Sequence, residues 1–284
     1  MSHVEFSVAL KSGPLLLGRV PVVMGIVNVT PDSFSDGGDH LTPEEALGAA
    51  IAMVAEGAGL IDVGGESTRP GADPVDARTE LARLMPVLAA LAEAKLGVPV
   101  SIDTSKAVVA HQAVESGAEI INDVRGFQTE PEIAAVAAGM GAAAVAMHWD
   151  PDRDRGKDLI GEVIRYFEKT VRIAGDAGLP RDRLILDPGF GFAKDFKENY
   201  EILRRLDELA GLGYPLLVGL SRKSMLGKLL GVEPRDRLAG TVATSALAYL
   251  KGAHVFRVHD IAQNLDGLKV VAATLYGPPA PLET

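Results

Sequence analysis

The 284-residue chain carries 28 Lys and Arg against 38 Asp and Glu, a net charge of -10, and a surface of that sign does not neutralise the phosphates of nucleic acid or of an anionic membrane. It has no cysteine, which excludes disulfides and thiolate metal sites and is compatible with a reducing cytoplasm. Its start, MSHVEFSVAL, lacks the basic-then-apolar order of a signal peptide, and its longest uncharged apolar run, Ile133 to Met147, falls short of the ~18–20 residues of a spanning helix.

Residues 4–20 read as a short hairpin turning at Lys11-Ser12-Gly13. Apolar strand runs then alternate with helical patterns: VVMGIV at 22, LIDV at 60, VPVSID at 98, EIIND at 119, AAVAMHW at 143, LILD at 184, LLVGL at 216 and HVFRV at 254. Continuous apolar strands of this kind suit a parallel sheet covered by helices. Thr42-Pro43-Glu44-Glu45 combines a helix N-cap, a proline at the first helical position and a capping-box glutamate, and Asp73-Pro74 reads as the start of another helix. Leu81, Leu84, Leu88 and Leu91 recur at helical spacing, as do Ile261, Leu265, Leu268, Ala272 and Leu275. Ile133 to Met147 reads as a helix end, a turn and a buried strand, and DPDRDRGKD at 150 as a solvated loop.

The expected fold class is α/β: a single (β/α)8 TIM barrel with a short N-terminal hairpin, residues 1–284 forming one domain, a length one barrel accommodates. An open, doubly wound sheet is the runner-up, since periodicity does not show closure. On a barrel the strand C-termini and following loops form the site face. Each run here ends in a polar residue: Asn28, Asp62, Asp103, Asn122, His148, Asp187, Ser221, and Arg257 with His259.

Asp103, Asn122 and Asp187 offer acceptors that suit a flat heterocycle rich in N–H donors. The alternatives are a helix cap at Asp103 and turn hydrogen bonds at Asp187. The loops NVTPDSFSDGG, from Asn28, and GGESTRPGA, from Gly64, add Phe34, Asp36, Thr68 and Arg69, more than a plain turn requires. Ser221-Arg222-Lys223-Ser224 and Arg257-Val258-His259 place positive charge where barrels often bind phosphate. Gly139-Met140-Gly141 precedes a strand, Gly227-Lys228 lacks the rest of a P-loop, and GLSRK is no nucleophile elbow. His148, alone after an apolar strand, reads as a packed residue and not as a metal ligand.

From VMGIVNVTPDSFSDGG through IDVGGESTRPGA, SIDTSK, INDV, LDPGFGFAK and GLSRKSMLG to FRVHD, residues 23–260 resemble the dihydropteroate synthase family. The resemblance implies a transferase that joins 6-hydroxymethyl-7,8-dihydropterin diphosphate to p-aminobenzoate by an SN1-like substitution, assisted by Mg2+. It implies pterin binding by Asp103, Asn122, Asp187 and Lys223, with Arg257 covering the ring and reaching the anion. Diphosphate binding by Asn28 and His259 follows in the same way, Asn28 being the implied metal ligand. Phe34, Thr68, Arg69, Pro70 and Ser224 correspond to the surroundings of p-aminobenzoate, and Asp36 is expected to order the first loop. The implied catalytic set is Asn28, Asp36, Arg69, Lys223, Arg257 and His259. The family also implies a cytoplasmic homodimer and sulfonamide target, with no nucleic-acid or membrane partner. Trp149-Asp150 departs from the Met-Gln continuation common in the family, so the rim of that loop is unassigned. A pterin-dependent methyltransferase and a non-catalytic pterin-binding paralogue are the alternatives.

Overall fold

The computed structural model describes residues 4–30, 42–67 and 73–278. The chain opens with an antiparallel hairpin of β1 (Phe6–Leu10) and β2 (Gly13–Leu17). Eight parallel strands follow: β3 (Val22–Asn28), β4 (Leu60–Gly64), β5 (Val100–Asp103), β6 (Ile120–Asp123), β7 (Ala143–Met147), β8 (Leu184–Asp187), β9 (Leu217–Val218) and β10 (Val255–Val258). Parallel neighbours need crossover connections, and helices supply them. These are α1 (Pro43–Ala55), α2 (Ala77–Ala94), α3 (Ala107–Glu115), α4 (Glu132–Met140), α5 (Leu159–Asp176), α6 (Phe196–Arg204), α7 (Leu206–Ala210), α8 (Ser224–Leu230), α9 (Leu238–Leu250) and α10 (Ile261–Tyr276).

The strands run in the order β8-β7-β6-β5-β4-β3-β10-β9. A parallel bridge between Leu186 and Leu216 brings β8 against the start of β9 and joins the ends of that row. The fold is therefore the (β/α)8 barrel with its hairpin, and the open sheet is set aside. Of the expected run LLVGL only Leu217–Val218 is regular strand.

Side chains facing the barrel interior are stacked in layers. Met24, Leu60, Ile120, Ala143, Val145, Ile185, Leu217 and Val255 form an apolar cluster with Val8, Leu10 and Leu17 of the hairpin, so the hairpin contributes to the same core as the barrel floor. Strand residues two apart point to the same side. Asp62, Asn122, Asp187 and Arg257 therefore stand one layer above Leu60, Ile120, Ile185 and Val255. The register aligns Asn28 with Gly64, Gly64 with Asp103, and Asp103 with Asn122, giving one row along the C-terminal edge. A second core, between barrel and helices, holds Leu84, Leu88 and Leu91 of α2 and Ile261 and Leu268 of α10.

The capping box at Thr42 forms as expected, its hydroxyl accepting from the Glu45 N–H at 3.2 Å and the Glu45 carboxylate accepting from Thr42 N–H at 2.8 Å. The helix start read at Asp73-Pro74 is corrected: α2 begins at Ala77, because Asp76 caps it by accepting from Thr79 N–H at 2.7 Å. The loop at 150 is also not merely solvated. Arg153 is buried and ion-paired with Glu198 of α6, and Asp158 caps α5 while accepting from Arg205 at 2.5 Å.

Candidate active site

Arg257 spans the C-terminal mouth of the barrel. From β10 its Nε donates to Asp62 Oδ2 at 2.6 Å and its Nη2 donates to Asp103 Oδ2 at 2.9 Å. Asn122 Nδ2 donates to the same Asp62 oxygen at 3.1 Å. Arg257 thus ties three strands, with β6 joined through Asp62, and Asp62 Oδ1 is buried with no hydrogen-bond partner. Asp62 lies inside LIDV, at the centre of β4, and the sequence carries no cue that it would hold the central arginine. That role follows from the interior facing of alternate residues on β4 and β10.

Asp103 is buried, and burial pushes its carboxyl up to about 7, with the Arg257 charge opposing and Asp62 adding to the shift. It does not cap α3, whose N-cap is Lys106. Asp187 is raised to about 6 by burial, against the opposing Gly189 N–H, which it accepts at 2.7 Å, and the Lys223 charge. Asp187 thus makes its turn hydrogen bond and still contributes acceptor capacity to the site face. Lys223, at the N-cap of α8, is lowered to about 8 by burial and by Arg257. Its ammonium lies 4.3 Å from the centre of the Phe192 ring.

Asn28 ends β3 beside Gly64, where an added Cβ would lie 3.5 Å from Asn28 Oδ1 and 3.5 Å from Asp103 Cβ. His259 follows β10, and its Nδ1 is 2.9 Å from Ser221 Oγ. Asp103, Asn122, Asp187, Lys223, Arg257, Asn28 and His259 all lie at or just beyond the C-terminal ends of strands, while Ser224 opens α8 and is exposed. Phe34, Asp36, Thr68, Arg69 and Pro70 lie outside the described residues. Arg222 is paired with Asp260, its Nη2 donating at 2.9 Å.

His148 is buried, its ring 4.7 Å from that of Tyr166, and burial with the nearby Lys194 charge holds it neutral, down at about 2. It is a packed residue, as its sequence context indicates. Lys194, in LDPGFGFAK, was given no role from sequence; it meets His148 Nδ1 at 2.9 Å. Trp149 lies beneath the Arg125 guanidinium, 3.5 Å from the ring centre, and 5.0 Å from the Phe192 ring.

Among the described residues no group of three or more His, Cys, Asp or Glu is placed to hold a metal ion. The oxygen donor offered on the site face beside the cationic cluster is the Asn28 amide, a hard ligand of the type Mg2+ accepts together with substrate phosphates.

A family model for pterin binding enzymes matches residues 24–259. The dihydropteroate synthase of Escherichia coli K12 is 45% identical over 261 residues, 90% of this chain and 92% of that protein. A Clostridium difficile dihydropteroate synthase crystallised with pteroic acid superposes with a TM-score of 0.87 at 44% identity, covering 92% of this chain and 98% of the other. A Xanthomonas albilineans dihydropteroate synthase with 4-aminobenzoic acid gives 0.86 at 44% identity, covering 93% and 96%. Relatives of this name across nine-tenths of the chain do not favour the methyltransferase or non-catalytic readings. With its barrel, its buried acceptors and its cationic mouth, the chain belongs to the dihydropteroate synthase family of transferases.

Proposed function

We propose that this chain condenses 6-hydroxymethyl-7,8-dihydropterin diphosphate with p-aminobenzoate, giving 7,8-dihydropteroate and diphosphate for folate synthesis. The observation that carries the reading is the buried row of Asp103, Asn122 and Asp187 beside Arg257. Those acceptors match the N–H donors of a pterin edge. Lys223 donates to the ring's acceptors, and Arg257 lies over its face.

Asn28, Arg257 and His259 surround the departing diphosphate, where positive charge and N–H donors stabilise the negative charge that develops. Mg2+, held by Asn28 and the diphosphate oxygens, would supply further charge neutralisation there. The methylene C–O bond breaks with its electron pair leaving on diphosphate, and the arylamine lone pair forms the new C–N bond before a proton is lost. No enzyme nucleophile takes part. Phe34, Thr68, Arg69, Pro70 and Ser224 complete the arylamine pocket, which a sulfonamide would enter as a mimic, and Asp36 orders the first loop.

The chain has no described helix long and apolar enough to cross a membrane. We place it in the cytoplasm, in keeping with its lack of cysteine, and as a homodimer. Leu229 of α8, Leu247 and Leu250 of α9 and Val270 of α10 are exposed on helices that pack side by side. Exposed apolar side chains on neighbouring helices suit burial against a second copy.

The test is product analysis by mass spectrometry. Dihydropteroate should form from the two substrates without any methyl donor; a methyl-donor requirement would indicate the methyltransferase, and pterin binding without product the non-catalytic paralogue.

A further inference from the structure

Lys194 is half-buried on the loop after β8 and has no hydrogen bond to a carboxylate among the described residues. Its Nζ instead meets three acceptors at 2.9 Å each, namely His148 Nδ1, Gly189 O and Phe192 O, with His148 O further away at 3.3 Å. An ammonium has three hydrogens and no lone pair, so those acceptors match the charged form one for one. A neutral amine would turn its lone pair on one of them. A neutral His148 accepts at Nδ1 in the tautomer protonated on Nε2, a nitrogen buried without a hydrogen-bond partner among the described residues.

The three acceptors come from the end of β7 and from the turn and loop after β8. Gly189 lets these segments approach, since a Cβ there would fall 2.2 Å from the His148 carbonyl oxygen and its φ is +70°. The tied segments are those that bear Asp187, whose carboxylate accepts from Gly189 N–H, and Phe192, whose ring lies under Lys223. Filling this space alone would call for an apolar chain, which costs less to bury than an ammonium.

We propose that Lys194 is a positioning residue for pterin recognition: its ammonium clips the end of β7 to the loop after β8, fixing Asp187 and Phe192. Burial lowers Lys194 to about 7, so it is charged below that pH; of the charged groups acting on it, Asp187 and Glu198 attract while Arg153 and Lys223 repel. Asp187 is in turn acted on by Lys223, Lys194 and Arg257. The inference deepens the pterin reading and rests on it.

The test compares wild type with Lys194→Met and Lys194→Arg by calorimetric titration with a pterin across pH, alongside thermal unfolding. Without the charge, Asp187 should titrate at higher pH, so the acid limb of pterin affinity should move up, with a loss of roughly tenfold for each pH unit moved. Lys194→Arg should restore the limb while recovering only part of the affinity, because a planar guanidinium does not reproduce three tetrahedral donors. An unmoved limb in a folded Lys194→Met protein, even one with a lower melting temperature, would overturn the proposal and leave the pterin site standing. Wild type that fails to bind pterin would overturn the site reading itself. Should Lys194→Met not fold, 15N spectra of wild-type lysine side chains decide: a slowly exchanging ammonium that shifts on pterin binding is expected, and a neutral amine at pH 6 would contradict the role.

Discussion

Arg257 Nη2 donates to Asp103 Oδ2 at 2.9 Å, so under the proposed function Arg257 and an incoming pterin N–H would compete for one carboxylate. The same guanidinium is anchored at its other end on Asp62 at 2.6 Å.

Asp103→Asn should weaken pterin binding by ~1.5–3 kcal/mol, the range for a hydrogen bond to a charged group. The substituted amide keeps one acceptor oxygen and so turns an N–H donor toward either the substrate's N–H or Arg257. Calorimetry measures the loss, and unchanged affinity in a folded variant would remove Asp103 from the contact set.

Arg257→Ala and His259→Ala should differ in kind. The first removes the partner of the buried Asp62 carboxylate, costing about 3–5 kcal/mol of stability, and impairs both pterin and diphosphate binding. The second should act through the anion alone. Equal effects on the binding of a pterin lacking diphosphate would contradict this division.

Pterin affinity should depend on pH with a definite sign. Asp103 and Asp187 stand at about 7 and about 6 because burial disfavours their charge, and pterin N–H donors favour the ionised forms. Affinity therefore falls as pH drops through both values, with protons released on binding. Above about 8 Lys223 loses its charge, which gives an alkaline limb. Titrations in buffers of different ionisation enthalpy measure the released protons; a flat profile would refute the assignment.

Gly189→Ala should destabilise the fold by more than about 1 kcal/mol, since alanine tolerates neither the positive φ nor the carbonyl at 2.2 Å. Chemical denaturation and pterin binding should report the loss together, because the same turn places Asp187. A variant with wild-type stability and weakened binding would separate the turn from the packing.

The eight strand runs were legible because each is apolar and ends in a polar residue, and because periodicity alternates between strand and helix along the chain. Closure was not legible: it depends on β8 meeting Leu216, a long-range contact that no local pattern encodes. The acceptors Asp103, Asn122 and Asp187 were readable as strand ends. Asp62 and Lys194 were visible in the same motifs, but their roles depend on partners distant in sequence, Arg257 at 195 residues and His148 at 46. The start of α2 was displaced because Asp73-Pro74 offers the same cues as the true cap, Asp76.

The most direct measurement follows diphosphate and dihydropteroate in one reaction, for wild type and for Arg257→Ala. One diphosphate should appear for each dihydropteroate, neither should accumulate when either substrate is withheld, and the variant should be slower. Release of diphosphate at equal rates by both proteins, or no dihydropteroate from wild type, would contradict the condensation at this site.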